Sequence, residues 1–124
     1  MDKKPSSDRP LTILLVEDDA IIRMNTADML TELNHVVVEA EDAEQALRAL
    51  GKATIDVVLT DVGLPGISGT DFAKLVRQKR PDMPIVFATG GDQGPELIGG
   101  HNAFLLQKPY GQEDLSAVLR RFST

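Results

Sequence analysis

From Leu11 onward, short runs of consecutive apolar residues alternate with longer stretches in which apolar positions recur every three or four residues. The first pattern predicts strands covered on both faces, and the second predicts amphipathic helices. Residues 11–16 (LTILLV) make the first strand. A helix over 20–33 follows, with Ile22, Thr26, Met29, Leu30 and Leu33 on a stripe expected to pack on the sheet and Asp19 as its cap. A short strand at 36–39 precedes a helix opened by Asp42 with Gln45. Its Ala43, Ala46, Leu47 and Leu50 fit the helical template, and Gly51 marks its end. The third strand is 56–60, followed by the turn-rich loop DVGLPGISG. Ser68 with Asp71 opens the next helix, whose Phe72, Leu75 and Val76 face inward and which Pro81 stops. Strands at 85–88 and 103–106 come next, then a regular helix over 112–122 carrying Leu115, Val118, Leu119 and Phe122 on one face. The segment between those last strands departs from the pattern. GGDQGPELIGGH holds five of the ten glycines and Pro95, so it is expected to be mobile, with only a short helix over 95–98.

Five strands alternating with about five helices predict one α/β domain built on a parallel sheet. The polar residues 1–10, with Pro5 and Pro10, are predicted to form a flexible tail, and the domain is expected over 11–123. The chain has 124 residues, 42% of them hydrophobic, which suits a single core. Nothing after the last helix reads as a second domain. A net charge of −6 argues against nucleic acid as a direct partner while leaving a dication open. The absence of cysteine excludes disulfides and thiolate metal sites and fits a cytoplasmic location. Lys3 and Lys4 are followed by PSSDRP rather than by the apolar core of a leader, and no run is long enough to span a membrane.

The chemistry lies at the ends of the apolar runs. Glu17 and Asp18 follow the first strand, Asp61 follows the third, Thr89 ends the fourth, and Lys108 comes just after the fifth. Carboxyl ends of parallel strands gather at one edge, so these positions are expected to meet around one ligand. Three carboxylates there repel one another, by about 4 kcal/mol for a pair 4 Å apart at an effective dielectric of 20. Mg²⁺ suits the set better than Ca²⁺, because it takes few protein oxygens and keeps waters that a phosphate can replace. Lys108 can neutralise a phosphoryl oxygen and Thr89 can donate to another, which equips Asp61 to carry an acyl phosphate. Asp19, Glu41, Asp42 and Asp92 read as ordinary capping or solvated acids. His35 and His101 have no partner at ligand spacing and read as solvent-facing.

ILLVEDD, TDVGLPGISG, FATGG and QKPY together resemble the receiver domain of two-component response regulators, over residues 11–122. The resemblance implies a doubly wound, flavodoxin-like sheet of five parallel strands in the order 2-1-3-4-5. It also implies transfer of a phosphoryl group to Asp61 from a histidine kinase or histidine phosphotransfer protein. Carried across by position, Asp18 and Asp61 contact Mg²⁺, Glu17 acts through water and Gly63 lends its carbonyl. Thr89 and Lys108 bind the phosphoryl oxygens, and the Lys108–Pro109 peptide is cis. FATGG and KPY are further similar to a single-domain subgroup named for an FATG-x-Tyr motif, although Asp92 stands where its tyrosine is expected.

Two other departures bear on switching. Leu105 occupies the position of the family's usual aromatic switch residue, with Phe104 on the opposite face of the strand. Gly63 and Gly91 occupy the positions whose side chains usually tune hydrolysis of the acyl phosphate. The leading expectation is a single-domain regulator, a phosphoacceptor switch or relay rather than an enzyme acting on other molecules, with output through contact with an unidentified protein. Two alternatives stand beside it. A haloacid-dehalogenase-like phosphatase also uses a strand-end Asp with Mg²⁺, but it wants a second acid where this chain has Gly63. A non-phosphorylated docking module, or a receiver fragment of a longer protein, is the other.

Overall fold

The computed structural model describes residues 9–90 and 102–122. The expected tail up to residue 8 and the glycine-rich segment 91–101, with the short helix expected in it and Gly91, Asp92 and His101, lie outside them. The elements are β1 (Thr12–Val16), α1 (Ala20–Glu32), β2 (Val36–Ala40), α2 (Ala43–Lys52), β3 (Val57–Asp61), β4 (Gly63–Leu64), β5 (Ile67–Ser68), α3 (Gly69–Lys79), β6 (Ile85–Thr89), β7 (Ala103–Gln107) and α4 (Gln112–Leu119), with a 3-10 turn at Arg120–Phe122.

β2, β1, β3, β6 and β7 form one sheet in that order, all pairs parallel. Counting only the sheet strands, this is the expected order 2-1-3-4-5. β1, β3 and β6 lie inside the sheet and are buried along most of their length, as continuous apolar runs require. Alternate strand residues supply two cores. Leu14, Val16, Val58, Ile85 and Phe87 face α2 and α3, while Ile13, Leu15, Val57, Leu59 and Val86 face α1 and α4. Phe104 packs with the second core and Leu105 with the first, so neighbours on β7 do take opposite faces.

Caps follow the sequence. Asp19 accepts the Ile21 and Ile22 amides, Asp42 that of Gln45, and Ser68 that of Asp71. The Gln45 Oε1 in turn accepts from Glu41 N–H, one residue ahead of the cap. α2 runs past Gly51 to Lys52.

Three expectations need correction. The loop after Asp61 contains a two-residue antiparallel ladder, β4 with β5, turned by Gly66 at φ 76°. The inner stripe of α1 does not include Ile22, which is 38% exposed. Thr26 and Leu30 are buried as expected and Met29 and Leu33 pack against the same core, with Ala27 taking the remaining buried place. His35 is half-buried rather than solvent-facing. Its Nδ1 accepts the Leu11 amide at 3.0 Å, and burial lowers its pKa from the usual value. Asn34 just before it takes φ 74°, the left-handed step that ends α1.

Candidate functional site

Register brings the strand-end residues together. Val16 is level with Thr60, Asp61 with Ala88, and Thr89 with Gln107, so Glu17, Asp18, Asp61, Thr89 and Lys108 emerge along one edge of the sheet. One oxygen each from Glu17, Asp18 and Asp61 lies within 4.8 Å of the others. Lys108 Nζ donates to Asp61 Oδ1 at 3.1 Å and stands 3.9 Å from Glu17 Oε1. The expected convergence of residues from three separate strand ends is therefore present.

Backbone bonds fix the parts. Glu17 N–H donates to Ala40 O, Val62 N–H to Ala88 O, and Lys108 N–H to Thr89 O at 2.8 Å. Thr89 is buried at the end of β6, and the Lys108–Pro109 peptide is cis. Arg23 Nη1 donates to the Glu17 carbonyl at 2.7 Å while its Nε meets Glu39 at 3.3 Å, tying α1 to the ends of β1 and β2. Gly69 closes the loop after Asp61. Its N–H reaches Val62 O at 2.6 Å, and a Cβ at Gly69 would sit 2.6 Å from that same oxygen, so only glycine fits. Gly63 is exposed, and a Cβ there would meet open space.

Glu17 is the buried acid of the three and Asp18 the exposed one. Burial pushes the Glu17 carboxyl up, the charges of Asp61 and Asp18 add to the rise, and the Asp19 amide and Lys108 oppose it. For Lys108, burial works against the charge, but the hydrogen bond and charge of Asp61 together with Glu17 outweigh it and hold the ammonium above the usual lysine value. Three carboxylates and one ammonium leave two negative charges uncompensated. That charge and the hard oxygen donors match a bound Mg²⁺, whose opposite ligands lie about 4.2 Å apart in an octahedron of 2.1 Å bonds. Glu17, Asp18 and Asp61 could therefore hold it, directly or through its waters.

Tyr110 was legible only as the last letter of QKPY, yet its hydroxyl lies 2.8 Å from that of Thr26 on α1. Burial raises its pKa. The available signal was a threonine on an apolar stripe, which needs a polar partner once buried.

A family model described as the response regulator receiver domain matches residues 13–120. The two-component response regulator PhoP of Pseudomonas aeruginosa is 34% identical over 121 residues, covering 91% of this chain and 53% of that protein. The phosphate regulon transcriptional regulatory protein PhoB of Klebsiella pneumoniae is 33% identical over 120 residues, covering 90% and 52%. The chain thus spans about half the length, or less, of the curated relatives it matches. Among solved structures, the chemotaxis response regulator CheY4 of Vibrio cholerae has a TM-score of 0.79 at 30% identity, covering 91% of this chain and 98% of that one. The receiver domain of sensor histidine kinase PA1611 from Pseudomonas aeruginosa, with a magnesium ion coordinated in its active site cleft, has a TM-score of 0.81 at 28% identity, covering 91% and 97%. Among the described residues no helix of this chain is long and apolar enough to cross a membrane. The carboxyl-edge acids, the cis-linked lysine and the five-stranded sheet thus sit in a chain that belongs to the response regulator receiver domain family.

Proposed function

We propose that Asp61 is the phosphoacceptor of a Mg²⁺-dependent switch, taking a phosphoryl group from the phosphohistidine of a histidine kinase or phosphotransfer protein. A carboxylate oxygen of Asp61 attacks phosphorus in line, the phosphorus–nitrogen bond breaks, and the imidazole departs with the bonding pair. Asp18 and Asp61 would hold the dication, with Glu17 reaching it through water and Gly63 lending its carbonyl. When bound, the metal would supply positive charge against the carboxylate and phosphoryl oxygens. Lys108 and Thr89 bind the phosphoryl oxygens, and the Lys108 ammonium already lies against the accepting carboxylate. Water later hydrolyses the acyl phosphate at the same site, so the domain catalyses its own gain and loss of phosphate and no other turnover.

The observation that carries this reading is the 3.1 Å contact of Lys108 with Asp61 beside three carboxylates whose oxygens lie within 4.8 Å of one another. Output is through contact with another protein in the cytoplasm, in keeping with a net charge that disfavours nucleic acid. Incubation with acetyl phosphate and Mg²⁺, followed by intact-mass measurement, should add one phosphoryl group that is absent in Asp61→Asn. Turnover of a small phosphoester would instead favour a phosphatase, and a bound metal without any adduct would favour a docking module.

A further inference from the structure

α1 places a polar side chain where it meets the sheet. Thr26 is 1% exposed, and a buried hydroxyl is costly unless it is hydrogen-bonded. Its partner, the Tyr110 hydroxyl at 2.8 Å, comes from a residue 84 positions later in the chain. Tyr110 is also the second residue after Lys108. The pair therefore ties the middle of α1 to the loop that carries the lysine.

That loop is held from both sides. Lys108 N–H donates to Thr89 O on β6. Beyond Tyr110, Gln112 Nε2 donates to Met29 O at 3.3 Å and to Glu32 Oε1 at 2.9 Å, both on α1. Between the loop and α1 lies an open hollow of about 630 Å³, lined by Ile22, Asn25 and Met29 on one side and Gly90 and Pro109 on the other. The Tyr110 ring packs against the core that also holds Ala27 and Leu30, and the hydrogen bonds fix the loop's register on α1. The Lys108 ammonium sits at the end of a flexible four-carbon stem, and its meeting with Asp61 depends on where that stem is rooted.

We infer that Tyr110 is a positioning residue for phosphoryl transfer: its hydroxyl, bound to Thr26, anchors the Lys108 loop to α1 and so sets the ammonium against the Asp61 carboxylate. The inference rests on the reading of Asp61 as phosphoacceptor. Thr26→Val and Tyr110→Phe remove the hydroxyls while nearly preserving shape. With acetyl phosphate and Mg²⁺, each variant is expected to be phosphorylated about threefold to tenfold more slowly, the loss of one hydrogen bond's worth of positioning. The double variant should be no slower than the slower single one, since only one bond is there to lose. In a Lys108→Ala background, Tyr110→Phe should change the rate no further, a result that a merely structural tie would not give. Because Tyr110 is the only tyrosine and the chain has no tryptophan, intrinsic emission reports on this residue alone. Beryllofluoride with Mg²⁺ should shift that emission in the wild type and shift it less in Thr26→Val. Wild-type rates in both single variants would overturn the inference, as would an equal slowing without the lysine. A wild-type protein that takes no phosphoryl group overturns the functional reading and this inference with it.

Discussion

α1 and α2 flank the same strand, β1, from opposite faces of the sheet, yet they arrange their apolar residues differently. α2 buries Ala43, Ala46 and Leu50 in one stripe and turns Glu44 and Arg48 outward, where they pair at 3.2 Å. α1 buries Thr26 with Ala27 and Leu30, while Ile21 is 69% and Met24 57% exposed. The helix ends differ as well. Arg80 donates to the Leu50 and Ala53 carbonyls at the close of α2. Beyond the end of α1, His35 takes the Leu11 amide on an imidazole nitrogen. α2 thus follows the amphipathic rule and acts as scaffold. α1 departs from it beside the acidic edge, which is where local rules are expected to yield to function.

The largest effect that distinguishes the two helices belongs to α2. Leu50 is fully buried among Leu14, Val58 and Val76. Leu50→Ala should cost about 2–5 kcal/mol in urea-induced unfolding, through lost burial and the cavity left behind. A cost near zero would show that α2 is not the rigid partner the comparison makes it.

The contrast also explains what could be read from the chain. β1, β3 and β6 were legible because strands buried on both faces need unbroken apolar runs, and strand ends in a parallel sheet point to one edge. Glu17, Asp18, Asp61, Thr89 and Lys108 could therefore be grouped without coordinates. α2 was legible because its period and its cap agree. Most of the inner stripe of α1 was legible too, in Thr26, Met29, Leu30 and Leu33, but its edge at Ile22 was not, because Ile21, Ile22 and Met24 leave apolar residues around much of the helix and periodicity then marks the face less sharply. The β4–β5 ladder escaped because two-residue strands have no period. His35 and Tyr110 escaped because each bonds a partner remote in sequence, and spacing carries no record of such pairs.

The next effect is a pH dependence at the close of α1 with no counterpart at α2. Burial lowers the His35 pKa, so folding favours the neutral ring, and protonation of Nδ1 would remove the acceptor of the Leu11 amide. The unfolded chain binds the proton first. Stability is therefore full above the ordinary histidine value of about 6.5 and falls as the pH drops below it toward the folded value. Thermal melts between about pH 7.5 and pH 5 should show a steeper loss for the wild type than for His35→Gln. Equal slopes would remove His35 from the comparison.

The smallest effect tests the exposed side of α1. Ile21 and Met24 lie outside both cores, so removing their side chains opens no cavity and returns little apolar surface to water that was not already there. Ile21→Ser and Met24→Ser should each change stability by less than about 0.5 kcal/mol, as surface substitutions usually do. Phosphorylation by acetyl phosphate should keep its wild-type rate, since neither residue lies among the groups that meet at Asp61 and a small donor needs no protein surface. Thr26, on the opposite side of the same helix, should slow the reaction when it loses its hydroxyl. A cost above about 1 kcal/mol at Ile21 or Met24 would mean that the helix packs with a rotation other than the one seen. The division of α1 into a face that positions the lysine loop and a face open to solvent would then fail.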